Sequence, residues 1–213
     1  TIPNFHHTRS RFDTFESVLA TDPLGRKAAT REAIEFALRH ETIVDRLLDL
    51  SARGEIPERI THNDTKINNV MLDDVTGQAT AVIDLDTVMP GLVHYDFGDM
   101  IRTATNSANE DETDLSKVRV RLDIFDALAE GYLAASGSVL TQTEIDELAF
   151  SGSLITFEIG LRFLTDHLQG DVYFKTRRPN HNLERAQCQF ALVQSLEENA
   201  ETLRGIIADH ARR

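Results

Sequence analysis

Thr141 stands three residues before Glu144, the spacing of a capping box, and opens a stretch that keeps a helical pattern to about Leu168. Between Leu154 and Phe163 that stretch is apolar on most sides. A helix apolar all round cannot lie on a surface, so other elements must enclose it. This one requirement predicts a helix-rich unit assembled around residues 141–168.

The expected neighbours follow from periodicity and punctuation. Asp22-Pro23 reads as a helix start, with Pro at the first helical position, and Ile34, Ala37 and Leu38 then share a face. Ile43, Leu47 and Leu50 continue to Gly54, a C-cap, and Pro57 closes the segment. Leu115, Val118, Leu122, Phe125, Ala129 and Tyr132 recur in steps of three and four, which predicts one amphipathic helix. A last helix is expected from about Leu183 through Phe190, Val193, Leu196 and Leu203 to Ile207. Residues 1–11 keep no period and read as a linker or an incoming strand-to-helix connection. His6 and His7 lie there without a carboxylate or cysteine spaced to complete a metal site, so a solvated or hinge role is expected.

Composition narrows the partners. A formal charge of −13 argues against nucleic acid, whose phosphates need a positive face. The uninterrupted apolar runs are only a few residues long, so no membrane span is expected, and no secretory signal opens the sequence. The lone Cys188 leaves no disulfide framework within the chain and points to a buried thiol in a reducing, cytoplasmic setting.

Between the helical segments the pattern changes. Residues 70–72 and 79–83 are short strand-like runs around the turn-rich Asp73-Asp74-Val75-Thr76-Gly77, a β-hairpin. The hairpin joins two motifs. Before it, His62, Asp64 and Asn69 match His-x-Asp-x-x-x-x-Asn, the catalytic-loop spacing of kinases. After it, an apolar strand ends in Asp84, with Asp86 two residues on. A carboxylate at Asp64 can orient an attacking hydroxyl and accept its proton. The amide oxygen of Asn69 and the carboxylates of Asp84 and Asp86 are the hard donors that Mg²⁺ prefers. His62 reads as a brace for the loop.

The passage Thr-His-Asn-Asp-Thr-Lys-Ile-Asn-Asn, with Ala-Val-Ile-Asp-Leu-Asp-Thr and Tyr-Asp-Phe-Gly-Asp-Met-Ile-Arg after it, resembles the aminoglycoside phosphotransferase and choline kinase superfamily. Within it, the group containing N-acetylhexosamine 1-kinase is the closest in likeness, also through residues 1–8 and 163–190. The resemblance implies a mainly α fold with a small β-hairpin, the C-terminal lobe of a protein-kinase-like enzyme. It implies Asp64 as catalytic base, Asn69 and Asp84 as metal ligands, and ATP and Mg²⁺ as cofactors. Many aminoglycoside kinases have His two residues after the catalytic Asp; Lys66 stands here instead, which favours a sugar acceptor and puts a cation beside the transferring phosphoryl group. In this superfamily an Asp near position 99 commonly braces the catalytic loop, so Asp99 is expected as a brace and Asp96 as a substrate contact.

A second polar and aromatic cluster, Arg162, Asp166, Asp171, Tyr173 and Phe174, suits a sugar, since carboxylates accept from hydroxyls and aromatic faces stack on rings. No Gly-x-Gly-x-x-Gly occurs, and none of Lys27, Lys66, Lys117 or Lys175 lies in a Val-Ala-Ile-Lys-like strand. The expectation is therefore a linker from an N-terminal lobe at residues 1–11 and a catalytic, substrate-binding lobe at 12–213. Such a lobe alone would bind ATP weakly and turn nothing over. The acceptor alternatives are an aminoglycoside, choline or homoserine, and the non-catalytic alternative is a binding module.

Overall fold

Helices α1 (Thr8–Thr21), α2 (Arg31–Arg39) and α3 (Arg46–Ala52) lead into strands β1 (Arg59–Thr61), β2 (Val70–Leu72), β3 (Ala79–Val82) and β4 (Met89–Gly91). Then come α4 (Val93–Ala104), α5 (Leu122–Ser136), α6 (Gln142–Gln169), α7 (His181–Glu198) and α8 (Ala200–Ala211). The structure is a computed structural model and describes residues 1–212.

α6 is the axis. Its capping box is formed in both directions: Thr141 Oγ1 accepts from the Glu144 N–H at 3.1 Å, and Glu144 Oε2 from the Thr141 N–H at 2.7 Å. Phe157, Leu161 and Leu164 of α6 pack with Phe12 and Phe15 of α1, Ala37 of α2 and Phe190 of α7. Leu148 and Ala149 meet Phe97, Phe125, Leu192 and Leu203, while Leu154 and Ile155 meet Leu47, Ile56 and Tyr95. One helix thus feeds every part of the core. By length and composition alone it could cross a membrane, yet 83% of its most apolar 18-residue window is buried against its neighbours.

α4 crosses α6 at close range because of Gly98. A Cβ there would lie 2.5 Å from the Ser151 backbone oxygen and 2.8 Å from Ile155 Cγ1, so the helix axes would have to separate. Overpacking of this kind costs about 1–3 kcal/mol, which for a domain of this size lowers Tm by about 2–4 °C per kcal/mol. Gly98→Ala is therefore expected to melt several degrees lower in a thermal scan, and an unchanged Tm would contradict this packing.

Several boundaries differ from the pattern-based expectations. Asp22-Pro23 ends a helix rather than starting one: Asp22 takes a left-handed φ of 39° and donates its N–H to the Val18 carbonyl. Leu38 is exposed at 43%, outside the buried face of α2. The helix expected from Leu115 begins at Leu122, because backbone partners outside any helix claim the preceding residues: Arg121 N donates to Thr105 O at 2.9 Å and Ser107 N to Arg119 O at 3.1 Å. The last helix is two, broken where Asn199 turns its side-chain amide onto the Ser195 carbonyl at 2.8 Å. α1 begins at Thr8, inside the stretch expected as a linker; residues 1–4 ahead of it are exposed, but His6, expected in a solvated or hinge role, is buried, at 9% exposure. Gly54 does end α3, its N–H on Ser51 O and that of Glu55 on Leu50 O, both at 2.9 Å. Cys188 is buried, which pushes its thiol pKa up to about 11.

The β structure is more than the one expected hairpin. β2 and β3 pair antiparallel (Val70 with Val82), and β1 and β4 pair antiparallel outside them (Arg59 with Gly91, Thr61 with Met89). The pairs are nested, so the chain from β1 to β2 and the chain from β3 to β4 run opposite one another. Both motif segments, residues 62–69 and 83–88, lie in that gap. Arg59 anchors the outer pair to α6, its guanidinium bonding both oxygens of the fully buried Glu144 at 2.7 and 2.8 Å. The inner hairpin stands clear of the core, with Met71, Leu72, Val75 and Val82 all more than half exposed.

Candidate active site

Nesting brings the first motif against the second. Lys66 Nζ lies 2.6 Å from Asp64 Oδ2 and 3.9 Å from Asp84 Oδ2. Asn69 donates its side-chain amide to the Asp64 carbonyl at 2.8 Å and to Asp64 Oδ2 at 3.0 Å. Asp64, Lys66, Asn69 and Asp84 therefore form one cluster of two carboxylates, one ammonium and one amide. Asp84 sits at φ 64°, a left-handed conformation that turns the chain sharply out of β3. Ile83 N donates to the Asn69 carbonyl at 2.9 Å and closes the gap between the segments. Asp86 is exposed and has no hydrogen bond or ion pair among the described residues, so nothing joins it to the cluster.

Two braces hold the loop, and one is not the expected residue. His62 Nε2 donates to the Ile83 carbonyl at 3.0 Å, tying the loop to the end of β3. The carboxylate that receives the loop backbone is Asp96, not Asp99. Asp96 accepts from the N–H of His62 at 2.9 Å and of Asn63 at 2.6 Å, and its own carbonyl accepts from the Thr65 hydroxyl at 2.5 Å. Burial holds the Asp96 pKa above the ordinary carboxylate value against the pull of those two N–H groups. Each of its oxygens thus carries one backbone N–H, so Asp96 braces the loop. Asp99 instead pairs with Arg102, one turn along α4, at 2.8 Å. The two acids are three residues apart on one helix, and its rotation decides which one faces the loop.

The second cluster is also rearranged. Asp166, 3% exposed, accepts from the N–H groups of Val172 (3.0 Å), Tyr173 (2.8 Å) and Phe174 (3.0 Å) and from the Asn182 amide (2.9 Å). It shapes the loop after α6 and has no capacity left to hold a ligand, nor does it pair with Arg162. Asp171 is likewise engaged, with Arg26 at 2.7 Å and Asn182 at 2.9 Å. Arg162 makes no ion pair among the described residues and faces the aromatic pair. Its guanidinium carbon lies 5.8 Å from the Tyr173 ring centre and 5.5 Å from that of Phe174, and burial lowers its pKa despite the Glu158 charge nearby. Arg162, Arg11, Phe5, Tyr173 and Phe174 line a cavity of about 320 Å³. Its lining carries two guanidiniums and the Asp166 carboxylate.

Sequence reasoning missed the residues behind the loop. Asn63 takes φ 63°, and its side-chain amide donates to the carbonyls of Thr61 (3.2 Å) and Thr87 (3.0 Å). His6 bonds Asn63 O and Glu158. The available signal was Glu158 itself, one carboxylate inside the apolar run of α6: a charge there needs a partner.

The donor set fits Mg²⁺. Asn69 Oδ1 accepts no hydrogen bond among the described residues, Asp84 is about half exposed, and both offer hard oxygens. No group of three or more His, Cys, Asp or Glu suited to a metal occurs among the described residues. A family model described as "Phosphotransferase enzyme family" matches residues 1–148. The match includes the whole loop-and-hairpin cluster and stops before Arg162, Tyr173 and Phe174.

Proposed function

Because this chain belongs to the phosphotransferase enzyme family, we propose that it carries the catalytic segment of an ATP-dependent kinase acting on a hydroxyl of a small ring compound, a hexosamine sugar at its anomeric position. The observation that carries the reading is the convergence of Asp64, Lys66, Asn69 and Asp84 within hydrogen-bond and ion-pair reach.

Asp64 orients the acceptor hydroxyl and takes its proton as the oxygen bonds to the γ-phosphorus and the bond to the departing ADP breaks. Lys66 holds the Asp64 carboxylate before the substrates arrive and offers its charge to the phosphoryl group during transfer. Asn69 and Asp84 would hold Mg²⁺, which when bound neutralises phosphate charge. An anomeric hydroxyl is more acidic than an ordinary alcohol, so it asks less of the base. The exposed apolar side chains of the β2–β3 hairpin offer a surface for the nucleotide and for the elements that clamp it.

The acceptor belongs in the cavity beside Arg162. Tyr173 and Phe174 offer a stacking face, and the two guanidiniums donate to acceptor oxygens such as an acyl carbonyl. The same charges repel an aminoglycoside or choline, both cationic. Transfer from Mg-ATP, followed by ³¹P NMR in the protein as it occurs in the cell, tests this against N-acetylhexosamines, aminoglycosides, choline and homoserine. A sugar 1-phosphate is expected. Transfer to the cationic acceptors alone, or to none of the panel, would refute the assignment.

A further inference from the structure

We propose that His6 is a positioning residue for the transfer: clamped between Glu158 of α6 and the backbone carbonyl of Asn63, it fixes the residue that precedes the catalytic base. This rests on the reading of Asp64 as that base.

Asn63 is where the catalytic loop needs support. Its left-handed backbone is uncommon for a residue with a side chain, and neighbours are needed to hold it. They do so from both sides. Asp96 takes its N–H at 2.6 Å, and His6 Nε2 bonds its carbonyl at 3.0 Å. Both peptide groups that set the direction of Asp64 are therefore held, one from α4 and one from the segment ahead of α1.

The proton count follows from the partners. A carbonyl only accepts, so His6 Nε2 carries a proton. Nδ1 faces Glu158 Oε1 at 2.9 Å, and Glu158 Oε2 already receives the Thr8 hydroxyl at 2.6 Å. Glu158 is held ionised, its pKa below the ordinary value, and against that carboxylate a bare Nδ1 would set two acceptors face to face. Both ring nitrogens are therefore donors, and the pair is imidazolium against carboxylate in a setting where His6 is 9% and Glu158 0% exposed.

The surroundings agree. Burial by itself pushes the His6 pKa down, but the charge and hydrogen bond of Glu158, the Asn63 carbonyl and the Asp99 charge outweigh it, and the value ends above 6.5. Burial pushes Glu158 up, and His6, Thr8 and Arg162 together bring it below 4.5. The other groups facing the ring are Asp96 and Tyr95 of α4, the latter with ring centres 5.0 Å apart, and the Phe5 ring at 4.8 Å. The signs fix the window. The His6 contribution is complete below its ordinary pKa and is lost as pH rises through the raised value. The Glu158 contribution is complete above its ordinary pKa and is lost as pH falls through the lowered one. The clamp is closed between those limits.

The test uses ¹⁵N-histidine and amide NMR together with steady-state kinetics on wild type, Glu158→Gln and the doubly neutral His6→Gln/Glu158→Gln. Wild type is expected to show both His6 ring nitrogens protonated at neutral pH, with the Asn63 and Asp64 amide shifts tracking the ring as pH rises. In Glu158→Gln, amide exchange at Asn63 and Asp64 should quicken and kcat should fall, each by about tenfold. Acceptor KM should change little, and the alkaline limb of kcat should move to lower pH. The double variant should recover part of kcat, since Gln can donate to both partners. The NMR readouts need no turnover, so they stand even if the kinase reading fails. A singly protonated His6 in wild type, or unmoved Asn63 and Asp64 amides in Glu158→Gln, would overturn the proposal. If Glu158→Gln does not fold, the wild-type titration decides alone: amide shifts indifferent to the His6 titration overturn it.

Discussion

Asp64→Asn is expected to lower kcat by about 10²-fold or more, the usual reach of a general base, while leaving acceptor KM within a few-fold. The variant keeps nearly the same shape, and an Asn at this position can still accept from the Asn69 amide as Asp64 does at 3.0 Å. What it loses is the charge facing Lys66 at 2.6 Å and the capacity to take a proton. Asp64 is not in the buried core, so the melting temperature should hardly move. Steady-state kinetics beside a thermal scan separates loss of chemistry from loss of fold. Near-normal turnover would remove Asp64 from the mechanism.

The second large effect is expected at Asp166, where the consequence is shape rather than chemistry. Its carboxylate takes three consecutive backbone N–H groups and the Asn182 amide. Asp166→Ala strands four donors beside a buried site and should cost about 3 kcal/mol, within the range for breaking buried charged hydrogen bonds. Released from Asp166, residues 172–174 no longer present Tyr173 and Phe174 to Arg162. Acceptor KM should therefore rise by about tenfold, the equivalent of 1.4 kcal/mol of lost binding, with a smaller effect on kcat. Asp166→Asn, which keeps one acceptor oxygen at the site, should fall between. An Asp166→Ala protein with unchanged Tm and KM would show that the loop is held by something else.

These two acids mark what sequence shows and what it hides. Asp64 is legible because its partners are local in pattern: the loop spacing and the hairpin that returns Asp84 are both written in consecutive residues. α6 is legible for a similar reason, since a capping box and an all-round apolar surface leave it one place to go. The pairing of β1 with β4 was not. Each strand is three residues, and Met89-Pro90-Gly91 looks like a turn until Thr61 and its neighbours lie beside it; a Cβ on Gly91 would come within 2.5 Å of Thr61 Oγ1. The bracing by Asp96 and Asp166 was not legible because an acid near a loop looks the same whether its oxygens face a ligand or the backbone. Only the rotation of α4 and the path of residues 171–174 decide. His6 was misread for want of its partner, which lies 152 positions away. Nothing local to His6 announces a buried carboxylate.

The central claim is that Asp64, Lys66, Asn69 and Asp84 form one phosphoryl-transfer site, with Asn69 and Asp84 as its metal-binding side. Paramagnetic broadening of the amide signals by Mn²⁺ in place of Mg²⁺, with ATP present, tests it most directly. The account predicts broadening centred on Asn69 and Asp84, lost in Asp84→Ala and kept in Asp64→Asn. Broadening centred elsewhere, or unchanged by Asp84→Ala, would contradict it.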